Sequence, residues 1–368
     1  MAFPSGKIIE RINWRLILPA MALSLMGLLS ILSMSLASKN FLYFGKQLIF
    51  FVFSLGVAIV LSVLDLRFLK INSHFVFFLY FFSLAALAGL FPLGVESRGV
   101  RGWYRLGPFS FSPVPFSAII LIIVLSKYFS TRHIEVGRFQ PIFFSGFYFL
   151  IPFALILLQP DFGSALALFF VWFGTINFSG IKIRHLFILM LVFSLLAVLA
   201  WQFWLKDYQK QRILAFLKPE IDAKGISWNV AQSKIAIGSG GLLGKGLGKG
   251  TQVHYGFLPE AKTDFIFSAW AEETGFVGVL FLLFFIGLLF FSSLKIVFYT
   301  NDNFTKLFAA GFSFLFFAQS FINMAMAFGF LPVVGIPLPF VSYGGSHLLA
   351  FYLGLGILAS LERRTPVS

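Results

Sequence analysis

Carboxylates that interrupt apolar runs are the first candidates for chemistry, because the chain has only 14 Asp and Glu residues among 368. Asp161 lies within LLQPDFGSAL, and Glu272 and Glu273 lie within SAWAEETGFVG. A carboxylate at membrane depth costs about 2.5–3.5 kcal/mol to insert, so it usually pairs or takes part in function. We predict a structural ion pair of Asp161 with Arg101 or Arg105. Two roles stay open for Glu272 and Glu273. One is structural, in helix packing or a contact with the helix dipole, and the other is functional.

Asp264 occupies a different position from these three carboxylates. It follows Thr263 at the end of a polar segment, and an apolar run begins with the next residue, Phe265. A carboxylate at such a boundary can reach both water and a bound headgroup. Asp264 is therefore the candidate general base, a role that contributes about 10²–10⁴-fold in rate.

A cationic, glycine-rich segment precedes Asp264. IAIGSGGLLGKGLGKGTQ (235–252) holds seven glycines together with Lys245 and Lys249. Successive glycines let backbone N–H groups line a concave nest for an anion. A Walker A loop is excluded because neither Gly–Lys pair has the required glycine before it and Ser or Thr after it. The segment therefore predicts a flexible loop suited to a phosphorylated ligand.

The segment KDYQKQRILAFLKPE (206–220) is amphipathic, with Arg212 on its polar face. Two interpretations stay open for it, a helix lying in the membrane interface against anionic lipids and a substrate-binding segment.

The sequence contains little that indicates a metal site. The chain has no Cys, its five His are scattered, and no Asp-x-Asp motif occurs. We therefore predict no metal or other cofactor, although a divalent metal is compatible with the chemistry.

Composition identifies the elements that must position these residues. Hydrophobic residues make up 59% of the chain, charged residues only 11%, and the mean hydropathy is +0.91. Soluble domains are about 25% charged, so this chain has too little charge to cover a water-facing surface. It is predicted to be a polytopic, all-α integral membrane protein.

Apolar runs long enough to cross a bilayer predict ten spans, and the first is expected to be a retained span because no signal-peptide cleavage pattern follows it. These runs lie near 15–36, 41–64, 74–93, 114–130, 141–159, 162–179, 184–205, 265–291, 305–329 and 343–361.

Basic residues predict the orientation of the spans. With a cytoplasmic N-terminus, fourteen Lys and Arg fall on the cytoplasmic side and five in the short loops opposite. This bias predicts that both termini are cytoplasmic. The net charge of +14 therefore needs no nucleic-acid role to explain it.

Three segments that are not lipid-like fall on the opposite, external side: 94–113, the long loop 206–264 and 330–346, which is rich in Pro and Gly. Irregular backbone at membrane depth is tolerated only where it lines a cavity or is buried in protein. Plain connectors are the alternative interpretation. The convergence of these three segments on one face of the membrane favours a site at the outer surface.

Four motifs in the second half of the chain, YQKQRILAF, QSKIAIGSGGLLGKGLGKGTQ, FLPEAKTDFIFSAWAEETG and GIPLPFVSYGGS, resemble the SEDS family of cell-wall proteins, its rod-shape members more than its division members. The resemblance runs along nearly all of residues 1–368, as one membrane domain. It implies a ten-helix bundle with a large extracellular loop between spans 7 and 8, in the bacterial cytoplasmic membrane.

The same resemblance implies an activity and a partner. The activity is peptidoglycan glycosyltransfer, in which lipid II units are joined into glycan strands on the outer face during cell elongation, with release of undecaprenyl pyrophosphate. The partner is a class B penicillin-binding protein, a transpeptidase with one membrane span. Membrane lipids surround both proteins.

The resemblance places the family's essential aspartate, within a Thr-Asp-Phe motif, on Asp264. A second motif falls on Gln159 and Asp161, which we group as structural. Together with the cations above, the predicted substrate-binding residues are Arg101, Arg105, Arg212, Gln232, Ser233, Lys245, Lys249, Glu260, Ser342 and Tyr343.

The first external segment departs from the family pattern. Gly102, Pro115 and Ala118 stand where the family usually has Arg, Glu and Lys. The departure weakens any substrate role for this segment and leaves Asp264 untouched. Two other function classes are compatible with the chain, a flippase for lipid-linked precursor and a non-catalytic scaffold that activates a transpeptidase.

Overall fold

The computed structural model describes residues 12–97, 99–107, 109–131, 140–203, 210, 214, 216–218 and 225–363. Its helices are α1 (Trp14–Ser38), α2 (Leu42–Val63), α3 (Phe68–Ile71), α4 (Ser73–Ala88), α5 (Leu90–Leu93), α6 (Val114–Thr131), α7 (Gln140–Leu158), α8 (Phe162–Phe178), α9 (Ile183–Phe203), α10 (Ile226–Ser239), α11 (Thr251–His254), α12 (Ile266–Tyr299), α13 (Asn303–Phe328) and α14 (Gly345–Arg363). Its strands are β1 (Val95–Ser97), β2 (Val100–Leu106) and β3 (Phe109–Phe111).

The helices confirm the all-α membrane class. Within the described ranges, eight helices have the length and apolar composition needed to cross a membrane. The two other predicted spans correspond to α8, a shorter apolar helix of 17 residues, and α9, which has 21. All ten predicted runs coincide with helices to within a few residues, except that α12 extends eight residues beyond its run.

Helix α13 is the centre of the bundle, and it packs against α6, α8, α12 and α14. Small residues let these helices approach closely. A Cβ on Gly311 would lie only 2.9 Å from Thr175 Oγ1 of α8, and one on Gly354 of α14 would lie 2.9 Å from Phe312. Large side chains that face outward, such as Phe78, Phe82 and others on α2, α4 and α12, present an apolar surface to lipid.

The two ends of the bundle separate the loops into two groups. At one end the Asn13 side chain donates to Glu362, Ser360 donates to the Leu64 carbonyl, and Lys70 pairs with Asp302. The beginning of α1 and the end of α14 therefore lie on the same side, together with Leu64, Lys70 and Asp302, which belong to loops that the basic residues assign to the cytoplasm.

At the other end a small antiparallel sheet with strand order β1-β2-β3 covers the bundle. Tyr104 of β2 lies opposite Phe111 of β3, and its hydroxyl donates to the Ala86 carbonyl at 2.6 Å. The Ser112 amide, directly after β3, donates to Ser346 Oγ of α14 at 3.0 Å. This sheet was not predicted from the sequence.

Helix α12 is broken in its first third. Gly275 has φ 67° and ψ −163°, which is not helical, and the chain resumes a helix immediately afterwards. Such a break leaves backbone groups without their helical partners. The Trp270 side chain bridges the break, because its indole donates to the Gly278 carbonyl on the other side at 2.9 Å.

Candidate functional site

Asp264 lies in a tight turn, residues 259–265, that leads into α12; we call it the Asp264 turn. The amides of Thr263 and Phe265 both donate to the Glu260 carbonyl, at 3.1 and 3.2 Å. Glu260 itself has φ 52°, a left-handed conformation that closes the turn. Its carboxylate accepts from Thr263 Oγ1 at 3.0 Å. The structure thus gives Glu260, a predicted substrate-binding residue, a part in shaping the turn.

Three consecutive carbonyls hold the Asp264 turn in place. The Lys262 carbonyl accepts from the Tyr343 amide at 2.8 Å, and the Thr263 carbonyl accepts from Ser342 Oγ at 2.6 Å. The Asp264 carbonyl accepts from Asn323 Nδ2 at 2.9 Å. These bonds fix the backbone of the turn and therefore the point from which the Asp264 carboxylate extends.

The residues that hold the turn belong to the segment 330–344, which we call the Pro-Gly segment, and to α13. Ser342 Oγ also accepts from the Leu338 amide at 2.8 Å, and Asn323 Nδ2 donates a second bond to the Ile336 carbonyl at 2.8 Å. From α2, the Gln47 side chain donates to the Ser342 carbonyl at 3.2 Å and accepts from the Gly344 amide at 3.1 Å. Ser342 and Tyr343 were predicted here, whereas Gln47 and Asn323 were not.

The Asp264 carboxylate faces Gly335 of the Pro-Gly segment. A Cβ on Gly335, which has φ +75°, would lie 3.9 Å from Asp264 Oδ2. The N-terminal turn of α8 packs against the same backbone, since a Cβ on Gly163 would lie 2.5 Å from the Val334 carbonyl oxygen. Asp264 is half-buried. Predicted external segments from distant parts of the chain thus converge around this carboxylate.

Asp161 caps α8. Its carboxylate accepts from the Ser164 amide at 3.0 Å and from Ser164 Oγ at 2.6 Å. Gln159 is buried, and its amide donates to the Leu87 carbonyl at 2.7 Å. Both residues therefore have structural contacts. The ion pair of Asp161 stays a prediction, because the carboxylate paired with Arg101 in the structure is Glu96, at 3.1 Å.

The glycine-rich loop, residues 240–250, docks onto the break in α12. The amides of Lys245 and Gly246 donate to the carbonyls of Glu272 and Glu273, at 3.0 and 2.9 Å. In the other direction, the Phe276 amide donates to the loop, to the Gly241 carbonyl at 2.9 Å. A Cβ on Gly275 would lie 2.2 Å from the Gly244 nitrogen. The loop therefore replaces the hydrogen bonds that the break removes from the helix.

The anion held by this loop is a carboxylate of the chain itself. Glu272 has a side chain with no exposed surface and pairs with Lys245 Nζ at 2.8 Å. Its oxygens also accept from Thr251 Oγ1 at 3.1 Å and from the amides of Gln252 and Val253, at 2.9 and 3.3 Å. The sequence predicted an anion-binding nest of backbone amides, and the two amides that bind Glu272 both lie in α11, directly after this loop.

Glu273 anchors the loop at a second point. Its carboxylate accepts from Ser33 of α1 and, at 3.2 Å, from the Gly248 amide. The same amide lies 2.8 Å from Ser33 Oγ. The glycine-rich loop is therefore tied to both α1 and α12. Lys249, by contrast, is exposed.

The remaining predicted site residues are distributed as follows. Gln232 and Ser233 are buried on α10, and Ser233 Oγ donates to the Ala327 carbonyl of α13 at 2.6 Å. Arg105 is exposed on β2. Arg212 lies outside the described residues. In the part of the chain that the structure describes, no group of three or more His, Cys, Asp or Glu is arranged to bind a metal ion.

Fold and site together define a multi-pass, all-α membrane protein that presents a carboxylate from a fixed turn, among irregular segments at one end of the bundle. A family model described as cell cycle protein, which covers FtsW, RodA and SpoVE, matches residues 13–366. The chain belongs to this family.

Named relatives and solved structures agree with that membership. The chain is 35% identical to the peptidoglycan glycosyltransferase MrdB of Escherichia coli K12 over 285 residues, 77% of each chain. It is 35% identical to the probable peptidoglycan glycosyltransferase FtsW of Trichlorobacter lovleyi over 356 residues, 94% of this chain and 92% of that one.

Among solved structures, a chain from a peptidoglycan synthase complex, described for its coordination of polymerization and crosslinking, superposes with a TM-score of 0.81. It shares 30% identity and covers 96% of this chain and 98% of its own. The Rod shape determining protein RodA of Thermus thermophilus superposes with a TM-score of 0.71 at 28% identity, over 96% of this chain and 97% of its own.

Proposed function

We propose that this chain is a peptidoglycan glycosyltransferase that joins lipid II units into glycan strands during cell elongation. Family membership and the names of two relatives support the activity. The rod-shape relatives support elongation, although relatives named FtsW match at similar identity. The observation that carries the proposal is the Asp264 carboxylate, which extends from a fixed turn beside the irregular backbone at Gly335, where a lipid-linked sugar would meet it.

The reaction requires one proton acceptor and one site of positive charge. The C4 hydroxyl oxygen of the acceptor sugar forms a bond with C1 of the donor sugar, and the bond from C1 to the pyrophosphate oxygen breaks. Asp264 takes the hydroxyl proton as general base. The electron pair of the broken bond leaves with the lipid pyrophosphate, whose charge nearby cations stabilise.

The cations available for that task are fewer than the sequence suggested. Lys245 and Arg101 are paired with Glu272 and Glu96, so their charge is already balanced by carboxylates. Lys249 and Arg105 are exposed and keep their place among the proposed pyrophosphate ligands. Arg212 keeps the role that the family motif assigns to it.

The partner in this proposal is a class B penicillin-binding protein with one membrane span. The similar chain solved within a peptidoglycan synthase complex supports such a partner. The proposed location is the cytoplasmic membrane with both termini inside the cell. The shared end of α1 and α14, joined by Asn13 and Glu362, supports placing the termini on one side.

One assay tests this function against the two other classes. The purified chain, with its single-span transpeptidase partner and fluorescent lipid II in liposomes, is scored for glycan polymer, for lipid II moved between leaflets, and for neither. We expect polymer. Translocation without polymer would support the flippase, and neither product would support the scaffold.

A further inference from the structure

We propose that the Lys262 ammonium binds the phosphate of the lipid-linked substrate beside Asp264. This inference rests on the proposed function, because it assigns a further substrate-binding residue to the same site. It starts from the position of Lys262, two residues before Asp264 in the same turn.

The backbone fixes where Lys262 stands relative to Asp264. The carbonyls of Lys262 and Asp264 are bonded to the Tyr343 amide and to Asn323 Nδ2, at 2.8 and 2.9 Å. Both side chains therefore leave a segment that is held at each end. A cation and a base presented in this way can act on two parts of one substrate, the phosphate and the sugar hydroxyl.

An aromatic pair holds the Lys262 side chain. Its Nζ lies 4.0 Å from the centroid of the Tyr43 ring, a cation–π contact. The Tyr43 ring in turn meets the Tyr343 ring edge-to-face, with centroids 5.3 Å apart. The Tyr343 ring supports the Tyr43 ring, which restricts the lysine side chain, and neither ring supplies a negatively charged partner.

Within the described ranges of the chain, no residue forms a salt bridge or hydrogen bond with the Lys262 ammonium. This separates Lys262 from Lys245, whose ammonium is bonded to Glu272 and Thr251. An ammonium carries three donors, and those of Lys262 are open to solvent or to a ligand.

Partial burial prepares this cation for an anion. Lys262 is half-buried, and this desolvation lowers its pKa from the ordinary value, while the charge of Glu260 acts in the opposite direction. A cation that has already lost part of its water loses less on binding an anion than an exposed one does. A phosphate group has the charge and the oxygens to bond all three donors.

The test compares a lipid pyrophosphate with the uncharged alcohol of the same chain and with an unrelated anionic lipid. The full chain in nanodiscs is titrated with undecaprenyl pyrophosphate, with undecaprenol and with phosphatidylglycerol, and each dissociation constant is measured. Lys262→Gln removes the charge, and Lys262→Met removes it while keeping an apolar stem on the Tyr43 ring. Lys39→Gln is the matched control, because Lys39 is an exposed cation on the same predicted face.

Loss of a charge-assisted hydrogen bond predicts roughly tenfold to hundredfold weaker binding of undecaprenyl pyrophosphate in both Lys262 variants. Undecaprenol should bind as before, and Lys39→Gln should change neither ligand. Lys262→Arg should restore most of the affinity, since it restores the charge.

Equal affinity for undecaprenyl pyrophosphate in wild type, Lys262→Gln and Lys262→Met would overturn the inference. An equal loss of affinity for phosphatidylglycerol would also overturn it, because the lysine would then bind any anionic headgroup.

Binding and polymerisation are measured on the same preparations. If the wild type polymerises lipid II and the Lys262 substitutions leave the binding of undecaprenyl pyrophosphate unchanged, this inference alone is refuted. If the binding of undecaprenyl pyrophosphate depends on Lys262 but the wild type forms no polymer, the proposed function alone is refuted.

Discussion

Lys245 lies in a glycine-rich, cationic segment, and its sequence context indicates a ligand for an external phosphate. In the structure its ammonium is bonded to the buried Glu272 and to Thr251 Oγ1, at 2.8 and 2.7 Å. The difference has a physical reason. Glu272 is fully buried, and a buried carboxylate needs a cation or several donors to offset the loss of its water. The fold supplies the cation from the glycine-rich loop and the other donors from α11.

This pairing predicts a stability effect that an exposed lysine would not have. Lys245→Gln leaves Glu272 buried with only its neutral donors, so the free energy of unfolding should fall by about 2 kcal/mol. Lys249→Gln removes the same charge from an exposed position of the same loop, and it should change stability by less than about 0.5 kcal/mol. Thermal unfolding of both variants in detergent measures the difference. Equal unfolding temperatures would contradict the assigned ion pair.

Helix α12 is an element whose structure depends on a contact with another segment and not on its own sequence pattern alone. Its sequence predicted one continuous span, because the two glutamates before Gly275 were compatible with helix packing. The break exists because the glycine-rich loop docks there, with the Gly244 nitrogen 2.2 Å from where a Cβ on Gly275 would lie. No hydropathy pattern could reveal that contact, since it joins segments about 30 residues apart.

A substitution at the break tests this arrangement. Gly275→Ala places a Cβ against the loop backbone and forces an L residue to φ 67°, so it should destabilise the chain by at least about 2 kcal/mol. Gly287→Ala is the control within the same helix, because its Cβ would meet nothing nearer than 3.9 Å. It should be neutral or stabilising by up to about 1 kcal/mol. Limited proteolysis should cut the glycine-rich loop faster in Gly275→Ala only. Identical digestion of the two variants would rule out the docked loop.

The beginning of α13 provides a pH-dependent test. Asp302 caps this helix, accepting from the Thr305 amide at 3.0 Å, and pairs with Lys70. Burial alone raises the pKa of Asp302, but the bonds from Lys70 and Thr305 outweigh burial and hold the pKa below 3.8, its ordinary value. A lowered pKa contributes stability that is present above the unfolded value and lost as the pH falls through the folded one.

We therefore expect the stability from Asp302 to be constant from neutral pH down to about pH 4 and to be lost in more acidic solution. Asp302→Asn keeps a capping side chain without the titration. Unfolding temperatures of the two proteins should differ at pH 7 and converge at the acidic end. A difference that stays constant from pH 7 to pH 3 would contradict the assigned cause.

At the scale of the whole molecule, hydropathy predicted most of the helices that the structure contains, whereas the orientation indicated by the basic residues stays a prediction. The ten predicted runs coincide with helices because a bilayer demands long apolar runs, and the class of fold followed from them. The small sheet and the three carbonyl contacts that hold the Asp264 turn were not found. They depend on which distant backbone groups meet, as Asn323 meets Asp264, and a periodic pattern carries no such information.

The orientation of the molecule is open to a direct test, because the chain has no Cys and a single introduced one is the only label site. Tyr255→Cys lies in the long loop predicted to be external, and Asn301→Cys lies in a loop predicted to be cytoplasmic. Both positions are exposed. A membrane-impermeant maleimide added to intact spheroplasts should label Tyr255→Cys, and Asn301→Cys should react only after permeabilisation. The reverse pattern would invert the proposed topology.

The central claim is that Asp264 is the general base, and polymerisation of fluorescent lipid II by the Asp264→Asn chain with its partner tests it most directly. The contact that holds the turn uses the Asp264 backbone carbonyl, which Asn retains, so expression, unfolding temperature and partner binding should stay normal. Asp65→Asn, at the opposite end of the bundle, is the matched control. We expect the polymerisation rate of Asp264→Asn to fall at least about 10²-fold and that of Asp65→Asn to stay at wild type. A folded Asp264→Asn chain that polymerises lipid II near the wild-type rate would contradict the account.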